Sequence, residues 1–386
     1  MQIITTSTDL TAAIATLKTA PVIAVDTEFM REKTYWPQLC LVQIASQDGT
    51  FLIDPLPNKL DLHPLAELWG SASIHKIFHA GGQDVQILYD ACGVAPAPYF
   101  DTQDAAALIG LPEQIGYGAL IQRLLHVELA KADSFTDWSR RPLTDTQVDY
   151  AAEDVSWLLK VYPVLYAELQ SLGRETWLDE EFARRVSPAA LEIDLRAQFR
   201  RLKRVASLKP HQLAIARELA AWREEEAMRR DLPKRWLLSD EAILEIARKA
   251  PGSAEELARL RGVGASVKHS LDRIVSAVQR GQRCPQEDWP SLPERRKPEG
   301  DFAATVDLMA ALVRKRAQEN RLSTSLLAPR ALLESYALEH DESSPLMQGW
   351  RRALIGEELT RLLDGEIGLC LRDKTLTVEE CPRSQG

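Results

Sequence analysis

Two carboxylates follow a short apolar run near the N-terminus, in the stretch VIAVDTEF. Residues 22–25 are long enough for one buried strand, and Asp26 and Glu28 come directly after it. Side chains alternate along an extended chain, so these two acids project from the same face. Paired like charges that lose water need a proton or a cation, and hard divalent cations prefer oxygen ligands. Taken alone, the motif is better explained by a strand that ends in solvent, because Asp-x-Glu is a common pattern.

A third acid occupies a comparable position further along the chain. Residues 74–79 (IHKIFH) predict a strand, and a Gly-Gly bend leads into a helix that carries Asp84 in its first turn and stops at Gly93. The carboxyl ends of strands in α/β sheets commonly face a ligand crevice, which favours a metal ligand. A simple stabilising acid at a helix N-terminus explains Asp84 equally well.

A fourth acidic group lies on a well-signalled helix. The pattern T-D-T-Q at 144–147 predicts a capping box at its start. Tyr150 and Asp154 are four residues apart, so they share one face and can serve one site. Asp149 and Glu153 have the same spacing on a neighbouring face, and periodicity alone does not choose between the pairs.

The remaining N-terminal elements predict an α/β domain. Apolar runs at 39–45 and 50–53 are separated by the turn sequence SQDG, which predicts a hairpin. Helical patterns follow at 100–110, where Asp101 is the expected N-cap, and at 117–125.

Charge is distributed unevenly along the 386 residues. The net charge of −9 combines about −14 over residues 1–194, about +9 over 195–283 and about −4 over 284–386. A basic middle segment can follow a polyanion such as nucleic acid, although solvated arginine faces explain it as well. Five scattered cysteines, no apolar run near 20 residues and no signal-peptide pattern favour a cytoplasmic protein without a membrane span.

The three acidic motifs together resemble those of the DEDD-type 3′→5′ exonucleases, and Tyr150 resembles the tyrosine of the DEDDy subgroup. Further stretches are similar to the ribonuclease D family: LCLVQIAS at 39–46, KADSFTDWSRRPL at 131–143 and QVDYAAEDV at 147–155. The segment LAIARELAAWREEEAMRRDLPKRWLLSDEAILEIARKAP and the later RGVG resemble the helicase-and-RNase-D C-terminal (HRDC) domain.

The resemblance implies an α/β RNase H-like exonuclease domain, with a mixed sheet flanked by helices, followed by two all-α HRDC-type domains. The expected boundaries are an exonuclease domain at 1–170, a helical linker at 171–206, an HRDC domain at 207–284, a Pro-rich linker at 285–300, a second HRDC-like helical domain at 301–375 and a tail at 376–386.

The resemblance also implies the roles of the site residues. Asp26, Glu28, Asp84 and Asp154 match the metal-binding carboxylates, and Tyr150 matches the residue that orients the attacking water. The implied cofactors are two divalent ions, Mg²⁺ or Mn²⁺. By the same analogy Asp26 bridges both ions, Glu28 and Asp154 hold the ion on the nucleophile side, and Asp84 holds the other.

Contacts to the substrate are expected from residues near these motifs. Phe29 and Met30 follow Glu28 and are expected to line the path of the terminal nucleotide. Lys131, Arg140 and Arg141 are candidates for contacts to phosphate, although a solvated loop explains them equally well.

The implied function is 3′→5′ exoribonuclease activity that releases 5′-mononucleotides, with RNA as the partner and tRNA precursors with 3′ trailers as substrates of a monomeric enzyme. Two alternatives stay open: a DNA exonuclease of the same superfamily, and a nucleic-acid-binding adaptor with an inactive site. All five matched positions are intact, which argues against the adaptor.

Overall fold

A computed structural model of the chain describes residues 1–129, 136–292, 298 and 300–381. The chain forms two compact units. The first comprises Met1–Glu28, Cys40–Leu191 and Arg296–Gly386, and the second comprises Phe29–Leu39 and Glu192–Arg295. Within the described residues, no helix has the length and apolar character that a membrane span requires.

A six-stranded mixed sheet forms the centre of the first unit. Its order is β1-β4-β3-β2-β5-β6, and the strands are β1 Gln2–Ile4, β2 Val22–Met30, β3 Gln38–Ser46, β4 Gly49–Ile53, β5 His75–Phe78 and β6 Tyr99–Asp101. β2, β5 and β6 run parallel as neighbours, whereas β3 and β4 are antiparallel. The predicted mixed sheet is confirmed, and the hairpin closes at the Ser46–Gly49 pair as the turn sequence indicated.

Eight α-helices in the described part of residues 1–191 belong to the same unit as this sheet. They are α1 Ser7–Leu17, α2 Ala66–Trp69, α3 Gly82–Cys92, α4 Thr102–Leu108, α5 Tyr117–Leu125, α6 Asp145–Ser171, α7 Asp179–Arg185 and α8 Pro188–Leu191. α3 ends at Gly93, whose φ of 73° is readily adopted by glycine. The predicted capping box is present, because Thr144 and Gln147 each cap the other's backbone at the start of α6.

The second unit is a helical domain. Its helices are α9 Pro210–Arg230, α10 Lys234–Leu237, α11 Asp240–Lys249, α12 Ala254–Ala258 and α13 Leu271–Gln282. Leu219, Trp222, Ile243 and Val278 are among the buried side chains of its core. Tyr35 also belongs to this core, and its hydroxyl donates to Glu224 Oε1 at 2.6 Å.

A C-terminal helical segment packs within the first unit. It contains α14 Phe302–Glu319, α15 Thr324–Leu327, α16 Arg330–Glu339, α17 Gly349–Arg351, a π-helical turn Arg352–Gly356 and α18 Glu357–Leu363. The Trp177 and Trp350 rings stack with centroids 4.9 Å apart, and Arg174 Nη2 donates to the Asn320 carbonyl at 2.7 Å. Arg351 pairs with Glu181 on α7.

The end of the chain corrects one expectation. Residues up to 375 were expected to be helical and the rest a tail, but β7 Ile367–Arg372 and β8 Thr375–Glu380 form an antiparallel hairpin. Both turn residues, Asp373 and Lys374, have positive φ values of 48° and 64°. A two-residue turn of this kind matches the twist of paired strands, and the short apolar runs on each side alternate with polar residues.

Candidate active site

The predicted acidic residues lie at one edge of the sheet. β2 and β5 are paired and parallel, so their carboxyl ends meet at the same edge. Asp26 and Glu28 occupy the end of β2 beyond its pairing with β5, and Asp84 lies in the first turn of α3, which follows β5. Two elements distant in sequence therefore deliver three acids to one place.

The closest carboxylates form a set that can hold a metal ion. One oxygen each from Asp26, Glu28 and Asp154 lies within 4.8 Å of the others, and all three side chains are half-buried. Asp84 stands beside this set and is only 8% exposed. Its charge raises the pKa values of both Asp26 and Glu28, so its carboxylate acts on the same site.

Helix α6 supplies the last carboxylate and the tyrosine. Tyr150 and Asp154 are half-buried, whereas Asp149 and Glu153 are exposed. The Tyr150 hydroxyl hydrogen-bonds to the Asp154 side chain. The structure thereby chooses between the two pairs that periodicity left open, because only one face of α6 packs towards the sheet.

Burial and mutual repulsion raise the pKa values of these carboxyls. The pKa of Asp26 is well above its usual 3.8, mainly through burial and then through the charges of Asp84, Asp154 and Glu28. Burial, followed by Asp154, raises the pKa of Glu28 to about 8. Burial raises the pKa of Asp154 to about 7, against the hydrogen bond from Tyr150.

The donor set fits a divalent cation. It consists of carboxylate oxygens, which suit Mg²⁺ or Mn²⁺, and near neutral pH it retains protons that a cation would displace. This chemistry is that expected of a metal-assisted hydrolase rather than of an isolated acid–base pair.

Two further residues support the acids and were missed in the sequence. The Thr27 hydroxyl donates to Asp84 Oδ1, which opposes the rise in the pKa of Asp84 that burial causes. The Tyr117 hydroxyl donates to the backbone carbonyl of Asp154. Alternation along β2 predicts that Asp26 and Glu28 share one face. It does not predict the hydrogen bond from Thr27 to Asp84, because that contact joins two distant segments.

A cleft of about 710 Å³ opens beside Glu28 and Tyr150. It is lined by these two residues together with Thr136, Asp137, Trp138, Arg140, Arg141, Pro142, Thr144, Thr146 and Gln147. A volume of this size suits a small-molecule ligand or one nucleotide of a longer chain.

Arg141 requires a correction, because its guanidinium serves the protein itself. It pairs in bidentate fashion with the buried Asp54, from Nε at 2.6 Å and Nη2 at 2.7 Å. Its other N–H groups donate to the carbonyls of Cys40, Trp138 and Arg140, each at 2.7 Å. All five donors are therefore engaged and none remains for phosphate. Arg140, by contrast, has 82% of its side chain exposed.

The other expected substrate residues are placed as follows. Phe29 and Met30 continue β2 after Glu28 and are half-buried. Lys131 lies outside the described residues. Contact of these residues with a terminal nucleotide stays a prediction.

Comparison with known families agrees with this geometry. A family model described as 3′-5′ exonuclease matches residues 1–170, and an HRDC domain model matches residues 212–278. The HRDC match covers the helical core of the second unit, whereas the exonuclease match contains all five predicted site residues.

Two curated relatives align with nearly the whole chain. The chain is 38% identical to a ribonuclease D of Granulibacter bethesdensis over 377 residues, 97% of this chain and 95% of the relative. It is 39% identical to a ribonuclease D of Nitrobacter hamburgensis over 376 residues, 96% of this chain and 97% of the relative.

A solved structure extends the similarity to the fold. The crystal structure of Escherichia coli RNase D, described as an exoribonuclease involved in structured RNA processing, superposes with a TM-score of 0.82 at 30% identity, over 94% of this chain and 98% of that one. The resemblance to ribonuclease D is confirmed, and the chain belongs to the ribonuclease D family of 3′→5′ exoribonucleases.

Proposed function

We propose that this enzyme removes nucleotides from RNA 3′ ends by a two-metal mechanism and releases 5′-mononucleotides, with tRNA precursors that carry 3′ trailers as substrates. The observation that carries the proposal is the convergence of Asp26, Glu28, Asp84 and Asp154, from three separate segments, in one cluster of interacting carboxylates.

These carboxylates would hold the ions. By analogy with the family, Asp26 would contact both ions, Glu28 and Asp154 would hold one of them, and Asp84 would hold the other. In keeping with a central position, the pKa of Asp26 is raised by all three other acids. When bound, two divalent ions would activate the attacking water on one side of phosphorus and stabilise the leaving oxygen on the other.

Tyr150 would donate its single O–H to Asp154 and would hold water through its phenol oxygen. Burial, and then the charge of Asp154, raises the pKa of Tyr150, so the phenol keeps its proton at neutral pH. A protonated phenol beside Asp154 can orient a water molecule but cannot accept its proton.

The helical regions would contribute to RNA binding and architecture. The net charge of about +9 over residues 195–283 supports a phosphate-binding role for the HRDC domain. We also propose a monomer that works in the cytoplasm, in keeping with five cysteines that are scattered along the sequence.

A second HRDC-like domain from residue 301 is supported by an internal repeat of helices. A long helix, a four-residue helix and a ten-residue helix follow one another as α9, α10 and α11, and again as α14, α15 and α16. Both ten-residue helices end in a left-handed residue, Ala250 in one and His340 in the other. The hairpin begins at Ile367, so we propose that the domain ends with α18 at Leu363.

The direct test compares a labelled single-stranded RNA with the DNA of the same sequence, each with Mg²⁺ and with EDTA. Stepwise shortening of the RNA from its 3′ end with Mg²⁺ alone is the expected result. Preference for the DNA would favour the alternative of a DNA exonuclease, because selection for RNA rests on contacts to the 2′-OH. Binding without shortening would favour the adaptor.

The neighbouring arginines of the cleft give a matched pair of variants. We expect Arg140→Ala to raise KM about fivefold with kcat unchanged, since losing one phosphate contact costs about 1 kcal/mol. We expect Arg141→Ala to lower the free energy of unfolding by about 3–5 kcal/mol, because it leaves the buried Asp54 without its partner. Kinetics and thermal unfolding of both variants measure the two effects.

Each arginine variant is the control for the other, since both remove one positive charge from the same loop. Equal losses of thermal stability in the two variants would contradict the distinction between a substrate contact and a structural ion pair.

A further inference from the structure

Asp101, expected only to cap a helix, is nearly inaccessible and binds two separate segments. It is the last residue of β6 and pairs with Phe78, the last residue of β5. The whole residue is 1% exposed. It does cap α4, since the Gln103 N–H donates to Oδ1 at 2.9 Å, but this bond uses only part of its capacity.

The Asp101 carboxylate also accepts hydrogen bonds from the turn between β5 and α3. The Ala80 N–H donates to Oδ1 at 2.9 Å, and the Gly81 N–H donates to Oδ2 at 3.0 Å. Helix α3 starts at the next residue, and its first-turn bond runs from the Val85 N–H to the Gly81 carbonyl. Asp84 lies in that first turn, so the turn sets where its carboxylate points.

The turn is one that the backbone does not favour by itself. Ala80 has a φ of 56°, which is uncommon for a residue with a side chain. A Cβ on Gly81 would lie 2.5 Å from Phe78 Cβ, so the backbone passes very close to the strand end. A left-handed alanine costs about 1 kcal/mol, and such a conformation persists where surrounding contacts hold it.

Two side chains hold Asp101 itself in place. The Tyr99 hydroxyl donates to Oδ2 at 2.6 Å, and Arg185 Nη1 donates to the same oxygen at 3.2 Å. Arg185 also pairs with Asp104 at 2.6 Å. The carboxyl group thus accepts five hydrogen bonds, two at Oδ1 and three at Oδ2.

We propose that Asp101 is a positioning residue for Asp84, because its carboxylate fixes the turn at residues 80–81 from which the helix carrying Asp84 starts. The inference rests on the proposed function, in which Asp84 holds a metal ion. Asparagine has a single acceptor oxygen and an NH₂ group that donates, so Asp101→Asn leaves at least two of the five donors without an acceptor.

The test measures Mn²⁺ binding to the full chain by titration calorimetry, without RNA. For Asp101→Asn we expect an affinity about 10–100-fold weaker, the usual effect of losing a group that orients a metal ligand. The matched control is Asp104→Asn, which removes the same charge beside the same arginine and is expected to leave the Mn²⁺ affinity unchanged. Unchanged affinity in a folded Asp101→Asn variant, or an equal loss in Asp104→Asn, would overturn the proposal.

Two more variants keep the result interpretable. If Asp101→Asn does not fold, Tyr99→Phe decides, since it removes one donor to Oδ2: a loss of about threefold or more supports the proposal and no loss overturns it. Asp84→Asn is the reference variant for metal binding.

If Asp84→Asn binds Mn²⁺ as tightly as the native chain, Asp84 is not a metal ligand, and the positioning role of Asp101 fails with it. If Asp84→Asn weakens binding and Asp101→Asn does not, only the positioning role fails.

Discussion

The Asp26→Asn variant is expected to lose RNA hydrolysis by about 10³-fold or more in kcat, which corresponds to about 4 kcal/mol of transition-state stabilisation. Asp26 interacts electrostatically with Glu28, Asp84 and Asp154, so it is the residue through which the site is connected. Asparagine has the same shape but one charge fewer, and removing a like charge from a crowded site does not disfavour folding. Single-turnover kinetics and RNA binding measured side by side check both halves of the expectation.

Asp149→Asn is the matched control for this variant. It makes the same chemical change on α6, one residue before Tyr150, but the side chain is exposed. We expect normal turnover from it. Normal turnover by Asp26→Asn, or an equal loss in Asp149→Asn, would show that the carboxylate cluster is not the catalytic centre.

The metal-free enzyme is expected to become less stable as the pH rises from about 5 to about 8.5. The pKa of Glu28 is raised from 4.5 to about 8 and that of Asp154 from 3.8 to about 7 in the folded chain. Over that interval the folded state binds more protons than the unfolded state, so the free energy of unfolding falls with pH. The stability that protonation contributes is complete below pH 4 and is lost as the pH passes through 7 to 8. Thermal unfolding in EDTA across this range measures it.

Divalent ions are expected to reverse this loss at high pH. Mn²⁺ at 100 times its Kd adds about 2.7 kcal/mol, or roughly 5–10 °C in Tm for a domain of this size. At one fixed Mn²⁺ concentration the gain is larger at pH 8 than at pH 5, because protons compete for the same oxygens and raise the Kd at low pH. Asp26→Asn serves as the control, with a flatter pH dependence in EDTA and a smaller response to Mn²⁺. A native chain whose Tm in EDTA rises towards pH 8, relative to that variant, would contradict the expectation.

Local patterns predicted the elements that carry the site. The apolar run before Asp26, the strand and Gly-Gly bend before Asp84, and the capping box before Tyr150 each specify an element through backbone and side-chain preferences a few residues long. The structure contains all three elements. The choice of Tyr150 and Asp154 over Asp149 and Glu153 needed the packing of α6, because both pairs have the same spacing.

Local patterns could not predict the roles of side chains whose partners are distant in sequence. Arg141 looked available for phosphate, yet it pairs with Asp54, 87 positions earlier. Asp101 looked like a helix cap, yet its main partners are the turn at residues 80–81 and Arg185. The residues that neighbour a charged side chain in sequence do not show which distant residue will pair with it in the folded protein.

The strands and helices that carry the acids, and membership of an exonuclease family, follow from the sequence itself. Short-range periodicity, caps and turns encode the former, and the arrangement of motifs encodes the latter. Tertiary structure alone decided which charged side chains are exposed to solvent and which form ion pairs or hydrogen bonds within the protein. Burial and ion pairing depend on contacts between segments that are distant in sequence. Such contacts also bring the Thr27 hydroxyl to Asp84 and the Asp101 carboxylate to the turn before the helix that carries Asp84.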